Sequence, residues 1–147
     1  MEENKHKVLA LKYRPKNFKE LIGQDIMVET ITNSIKLNKL PNAYLLTGIR
    51  GVGKTTTARL IAKALNCNKN FLKEENCDCN HCEEISHSKH LDVLEMDAAS
   101  KTGIDDVREL IESSKYNPTN AKYKIFIIDE VHMLSKQAFN GLLKTLV

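Results

Sequence analysis

The chain has 147 residues, of which 41% are hydrophobic and 28% are charged, and its formal net charge is +3. These values are typical of one globular domain, and so small a net charge does not by itself indicate nucleic-acid binding. No apolar run approaches the roughly 18–20 residues of a membrane helix, and residues 1–7 lack the apolar core of a secretory signal. The sequence therefore predicts a cytoplasmic chain without a membrane partner.

Helical and strand-like patterns alternate along the chain. A first helix is predicted over 25–37, with Asp25 as its N-cap and an apolar face of Ile26, Ile31 and Ile35, and a short strand follows over 43–47. Further helices are predicted over 54–66 and 104–115, and further strands over 91–96 and 125–128. The last helix is capped by Ser135 and lined by Phe139, Leu142, Leu143 and Leu146.

The run of four apolar residues at 125–128 is typical of a strand that is buried on both faces. Because strands alternate with helices, we predict an α/β layered fold with a mainly parallel sheet.

Residues 48–55 match the phosphate-binding pattern G-x-x-x-x-G-K-[ST] without a mismatch, between a predicted strand and a predicted helix. Glycines allow backbone amides to turn towards phosphate oxygens, Lys54 can reach the β- and γ-phosphates, and the Thr55 hydroxyl can ligate Mg²⁺. A glycine-rich turn that matches by chance is the alternative, which the strand–loop–helix context disfavours. The predicted nucleotide-binding residues here are Gly48, Ile49, Arg50, Gly51, Val52, Gly53, Lys54 and Thr55.

An acidic pair, Asp129 and Glu130, follows the apolar run 125–128. This arrangement resembles the Walker B element of AAA+ ATPases, in which the first acid holds Mg²⁺ and the second polarises the attacking water. By that resemblance Asp129 and Thr55 are the Mg²⁺ ligands, and Glu130 and Lys54 are the catalytic residues. Strands often end in charged residues, so the interpretation depends on the phosphate loop upstream.

Four cysteines have the spacing C-x9-C-x-C-x2-C in a polar segment. Four thiolates can close a structural, tetrahedral zinc site, which could contribute on the order of 10–16 kcal/mol of apparent binding energy. The single-residue gap before Cys79 is tighter than usual and leaves open whether Cys77 or His81 is a ligand. Free thiols in a flexible insertion are an alternative, and no histidine nearby supports a catalytic thiol. The predicted zinc ligands are Cys67, Cys77, Cys79 and Cys82.

Several motifs together closely resemble the gamma/tau subunits of the bacterial DNA polymerase III clamp loader, an AAA+ ATPase family. The resemblance runs from about residue 8 to residue 146 and includes the phosphate loop and a cysteine insertion over about 67–90. In that family the N-terminal signature packs against adenine, which adds Tyr13, Arg14 and Pro15 to the expected nucleotide-binding residues. The motifs are Leu11-Lys12-Tyr13-Arg14-Pro15, Phe18, Ile22-Gly23-Gln24-Asp25, residues 97–103 and residues 128–135.

The resemblance implies a P-loop NTPase fold, a three-layer α/β/α parallel sheet with a zinc insertion. It implies a motor subunit that uses ATP and Mg²⁺, carries Zn²⁺, and loads a sliding clamp on primed DNA during replication. The implied partners are the other clamp-loader subunits in a hetero-oligomeric ring, the sliding clamp, primer-template DNA and, through the complex, the polymerase core. Polymerase activity would belong to the complex and not to this chain.

Two features depart from the family pattern. The second cysteine is expected at Asn76, where this chain has Cys77 one position later. The chain also stops at Val147, where the family continues, so residues 1–147 are expected to be the N-terminal portion of the ATPase domain without strands 4 and 5 and the helical lid. Because strand 4 lies between the strands that carry the two ATP motifs, we expect this chain alone to bind nucleotide weakly and to hydrolyse it poorly or not at all.

Two other functions remain compatible with the sequence. One is a zinc-stabilised interaction module in which ATP is only a structural ligand, and the other is an inert remnant that does not fold stably. A basic run near the N-terminus is interpreted as a solvated face in preference to a DNA contact. Its residues are Lys5, Lys7, Lys12, Arg14, Lys16 and Lys19.

Overall fold

The computed structural model describes residues 13–47, 53–72, 77–100 and 104–146, except for the side chains of Ile104 and Leu146. Short 3₁₀ turns cover Phe18–Glu20 and Val131–Met133. The helices are α1 (Asp25–Lys36), α2 (Lys54–Asn66), α3 (Asn80–Ser86), α4 (Ile104–Ser114) and α5 (Lys136–Leu146), and the strands are β1 (Val93–Asp97) and β2 (Ile125–Asp129).

The two strands pair in parallel, in a register that runs from Val93 opposite Ile125 to Asp97 opposite Asp129. The carboxyl ends of both strands therefore meet at one edge of the sheet. Helix α4 lies between the strands in the chain, as a parallel connection requires.

Helices pack on both faces of this small sheet. On one face, Ala58 and Ala62 of α2 and Ile85 of α3 contact Val93 and Ile127. The opposite face packs against α4 and α5 through a cluster that comprises Met96, Ala98, Val107, Leu110, Ile111, Ile128, Val131, Leu134, Ala138 and Leu142. The predicted layered α/β architecture with a parallel sheet is thus confirmed for the described elements.

The predicted strand over 43–47 is wrong, because these residues have no regular secondary structure. A strand requires a backbone ladder with a neighbour, and the sheet of the described residues pairs only β1 with β2. Leu45 is 78% exposed, so the segment also lacks the burial that its apolar sequence indicated.

Three further details of the sequence interpretation are wrong. Within β2 only Ile127 is buried, so the strand is not buried on both faces. Asp25 is the first residue of α1, and its N-cap is Gln24, which makes no side-chain capping bond. On the predicted apolar face of α1, Ile31 is 3% exposed but Ile26 is 83% exposed, because the helix packs through a narrower stripe that Met27, Val28 and Ile35 complete.

The predicted bounds of α2 and the predicted cap of α5 are confirmed. Helix α2 has the predicted bounds of 54–66. Helix α5 is capped by Ser135, whose hydroxyl oxygen accepts the backbone N–H of Ala138 at 3.2 Å. Of the residues predicted to line α5, Leu142 is buried, whereas Phe139 and Leu143 are exposed and the side chain of Leu146 lies outside the described set.

Candidate nucleotide and metal sites

The first residues of α2 meet the carboxyl end of β2. The Thr55 hydroxyl donates a hydrogen bond of 3.0 Å to Oδ2 of Asp129. These are the two side chains that the sequence assigns to Mg²⁺, and the fold brings them together across 74 residues of sequence. Two oxygen atoms in contact at a helix N-terminus suit a small hard cation that retains several waters and phosphate oxygens as its other ligands.

The turn into α2 depends on a glycine. Gly53 is the N-cap and has a φ of 82°, a left-handed conformation that a side chain disfavours. The Gly53 carbonyl accepts both the backbone N–H and the hydroxyl of Thr57, each at 2.8 Å, which closes the first turn. The backbone N–H groups of a helix N-terminus are a suitable site for an anion. The predicted phosphate-loop residues Gly48, Ile49, Arg50, Gly51 and Val52 lie outside the described residues.

Glu130 follows Asp129 with a φ of 54°, in the left-handed region. Its backbone N–H donates to Oδ1 of Asp129 at 3.0 Å, so the two oxygens of Asp129 have different partners. The Glu130 carboxylate lies 3.2 Å from Nε2 of His132. His132 is a neighbour of the predicted catalytic acid that sequence reasoning did not single out, although its place two residues later was a visible signal.

The expected adenine-binding segment, residues 13–15, comes shortly before the buried Asn17 and Phe18. Tyr13 is exposed, and Arg14 and Pro15 are half-buried. The Phe18 ring packs edge-to-face on Phe71, with ring centroids 5.8 Å apart. The contact with adenine stays a prediction.

The four cysteine sulfurs converge, all within 4.8 Å of one another. Cys67 Sγ lies 3.2 Å from Cys77 Sγ and 3.7 Å from Cys79 Sγ. In a tetrahedral zinc site with Zn–S bonds of about 2.3 Å the sulfurs lie about 3.8 Å apart, so the donor set fits this ion. Cys77 belongs to the cluster despite its shifted spacing.

His81 contacts another histidine and is not one of the residues of the sulfur cluster. Its Nδ1 lies 2.7 Å from Nε2 of His90, and both rings are buried. The structure therefore favours Cys77 over His81 as the fourth ligand.

The thiols of the cluster have unequal proton affinities. Burial raises the pKa of Cys67 to about 12, and burial also raises the pKa of Cys82. Burial acts in the same direction on Cys79, but hydrogen bonds from the backbone of Cys82 and Asn68 outweigh it and lower its pKa to about 7. A metal ion must displace these protons, so metal binding to the cluster should weaken as pH falls.

The cysteine insertion is anchored by more apolar packing than its polar composition indicates. Phe71 and Ile85 are buried, and Cys82 is only 1% exposed. Helix α3 packs on α2. The insertion is therefore attached to α2 and to the sheet, although most of its residues are polar.

A buried polar junction beneath the insertion was missed by sequence reasoning. The Asp92 carboxylate accepts the backbone N–H groups of Thr119, Asn120 and Ala121 at 2.6, 2.9 and 2.9 Å. The Asp92 N–H donates to Nδ1 of His90 at 3.0 Å, which leaves Nε2 of His90 to carry a proton towards His81. A single aspartate within the predicted strand over 91–96 gives no local signal for such a role.

Within the described ranges, no helix combines the length and apolar character needed to cross a membrane.

Comparison with known proteins identifies relatives along nearly the whole chain. Residues 23–146 match the family described as DNA polymerase III, delta subunit. The chain is 48% identical over 141 residues to DNA polymerase III subunit gamma of Buchnera aphidicola subsp. Schizaphis graminum, covering 96% of this chain and 39% of the relative. Identity is 47% to subunit gamma/tau of Mycoplasma genitalium and 43% to subunit tau of Escherichia coli K12, covering 96% of this chain and 24% and 22% of those relatives.

Proposed function

Because this chain belongs to the DNA polymerase III delta-subunit family and is similar to gamma and tau subunits, we propose that it is the nucleotide-binding part of a clamp-loader ATPase subunit. The chain spans about two fifths or less of the length of the relatives reported above. The proposed role of the whole subunit is to load a sliding clamp on primed DNA during replication, in a ring with other loader subunits and with the polymerase core as a further partner.

The contact between Thr55 and Asp129 is the observation that carries this proposal. It joins the predicted phosphate-loop helix to the predicted Walker B acid at the edge where parallel strands end, which is where α/β sheets bind ligands. Thr55 and Asp129 would hold Mg²⁺ through these two oxygens, and the ion would supply positive charge that neutralises the β- and γ-phosphates. The fold proposed on this basis is a P-loop NTPase of the AAA+ type.

Each residue of the site has a distinct proposed role. Lys54 begins α2 and would neutralise the phosphates, and the N–H groups after Gly53 would bind their oxygens. Glu130 would orient and polarise the attacking water from a backbone that Asp129 holds in place. Tyr13, Arg14 and Pro15 would contact the base.

The four-cysteine cluster is proposed to hold one structural Zn²⁺ through Cys67, Cys77, Cys79 and Cys82. Four protein ligands would leave no open position for chemistry, so the ion would stabilise the insertion only.

Isothermal titration of the zinc-loaded chain with Mg-ATP tests the nucleotide site. We expect saturable binding that Lys54→Ala abolishes and that the exposed-residue control Lys144→Ala retains, since Lys144 lies in α5 away from the site. Absence of binding in the parent chain up to millimolar Mg-ATP would contradict the proposal.

A further inference from the structure

Helix α2 is held on the sheet by polar contacts at three levels along its length. Thr55 bonds Asp129 at its first turn, and Arg59 bonds Glu95 of β1 one turn later. At the last turn, Asn66 donates to the carbonyl of Tyr123 at 2.9 Å and accepts its N–H at 2.8 Å. Thr55 and Arg59 are four residues apart and so lie on one face of the helix. The small Ala58 and Ala62 allow α2 to approach the sheet closely between these contacts.

The middle contact is the strongest of the three by its chemistry. Nε and Nη2 of Arg59 lie 2.7 and 2.9 Å from the two carboxylate oxygens of Glu95, a bidentate pair. The side chains expose only 16% and 22% of their surface. The two paired bonds make this ion pair more stabilising than a typical surface pair, although Glu95 as a whole residue is exposed. It fixes the position of α2 along β1.

Glu95 also contacts the end of the cysteine insertion. The Ser88 hydroxyl donates to Oε2 of Glu95 at 3.2 Å, and Ser88 lies two residues after α3 in a left-handed turn with a φ of 56°. One carboxylate therefore joins the sheet, the phosphate-loop helix and the segment that leaves the cysteine cluster.

The cluster is joined to α2 by a second route, through the chain itself. Cys67 is the C-cap of α2, and its sulfur is one of the four that converge. The nucleotide site thus lies at the N-terminus of α2 and the cysteine cluster at its C-terminus. A helix of this length is rigid. A shift of α2 relative to β1 would therefore move the residues at both ends of the helix.

We propose that Glu95 is a positioning residue that couples metal loading of the cysteine cluster to the nucleotide site, by fixing α2 on β1 through Arg59 and Ser88. The inference rests on the nucleotide and zinc sites of the proposed function. Zinc loading raises the affinity for Mg-ATP, and Mg-ATP raises the affinity for zinc by the same factor, because coupling between two binding equilibria is reciprocal.

The direct test compares Glu95→Gln with Glu112→Gln, each zinc-loaded and zinc-stripped, by titration with Mg-ATP. Glu112 is a matched control because its carboxylate also accepts a hydrogen bond from a cationic side chain, that of Lys115 at 2.7 Å, but on α4. We expect zinc removal to weaken nucleotide binding at least about 5-fold in the parent chain and in Glu112→Gln, the lower end of typical coupling factors. In Glu95→Gln the effect falls below about 2-fold. Full zinc dependence in Glu95→Gln, or none in the parent chain, overturns the proposal.

Hydrogen exchange without nucleotide separates this inference from the proposed function. Zinc loading is expected to slow amide exchange over residues 54–59 in the parent chain and not in Glu95→Gln. Ser88→Ala removes only the hydrogen bond between the insertion and Glu95. It should weaken the zinc-dependent protection of residues 54–59, and it serves as a second variant if Glu95→Gln folds poorly. Zinc-dependent protection without nucleotide binding would contradict the proposed nucleotide site and support the coupling. Protection that is equal in all variants overturns the coupling.

Discussion

The two ends of α2 carry two candidate sites that are built in different ways. At its N-terminus, Thr55 meets Asp129 across 74 residues of sequence, so that site exists only if the sheet and its connections are in place. At its C-terminus, four cysteines from residues 67–82 converge. A local chelating cluster can be recognised from spacing alone, whereas a site assembled at a sheet edge depends on the fold.

The two ends also depend on different sources of stability. The nucleotide end rests on packing between α2 and the sheet through Ala58, Ala62, Val93 and Ile127. The cysteine end buries Phe71 and Ile85, and its four thiols are free, with no disulfide among them. Perturbations should therefore affect the two ends unequally.

The largest expected effect is that of metal removal. A chelator should abolish the exchange protection of α3 and of residues 77–90, because zinc binding contributes on the order of 10–16 kcal/mol in small zinc domains. Amides of β2 should lose much less protection. Exchange mass spectrometry with and without zinc, beside a measurement of zinc stoichiometry, checks this.

Cys82→Ser should reproduce the effect of the chelator, whereas Asn68→Ser, at an exposed position of the same insertion, should not. If α3 kept its protection without metal, packing alone would hold the insertion and the contrast between the two ends would disappear.

A smaller effect is expected from truncation in α1, which packs beside the insertion. Ile31→Ala should lower the free energy of unfolding by about 2–5 kcal/mol because Ile31 is buried in the core cluster. Ile26→Ala should change it by less than about 0.5 kcal/mol, since Ile26 is solvent-exposed. Urea unfolding of both variants measures their free energies of unfolding. Equal effects would contradict the packing of α1 through Ile31 with Ile26 in solvent.

The smallest expected effect concerns the cap of α5, on the face of the sheet opposite α2. Ser135→Ala should destabilise the chain by about 1 kcal/mol, because the N–H of Ala138 loses its acceptor. The control Ser34→Ala lies within α1, where the serine hydroxyl bonds only its own helix, and should be neutral or slightly stabilising. Thermal unfolding distinguishes the two, and matching losses would argue against the cap.

Much of this fold could be predicted from sequence because its signals are local. The bounds of α2, the cap of α5 and the convergence of the cysteines all follow from patterns within a few turns of chain. The strand over 43–47 failed because a strand depends on a neighbour, which an apolar run does not reveal. Ile26 and Ile31 could not be distinguished because periodicity does not give the width of the packed stripe.

The polar contacts that join the parts had no sequence signal. Glu95 lies in a strand and Asp92 in a turn, and their partners lie 36 and 27–29 residues away. Such contacts depend on the register between β1 and β2 and on the position of α2 on the sheet. Both are properties of the assembled fold.

The most direct test of the central claim is the Mg²⁺ dependence of ATP binding in Asp129→Asn and Asp97→Asn. The two aspartates lie opposite each other in the parallel register, but only Asp129 contacts Thr55. The account predicts that excess Mg²⁺ strengthens ATP binding in the parent chain and in Asp97→Asn, and has little effect in Asp129→Asn. Undiminished Mg²⁺ dependence in Asp129→Asn would show that Asp129 and Thr55 do not form the metal site.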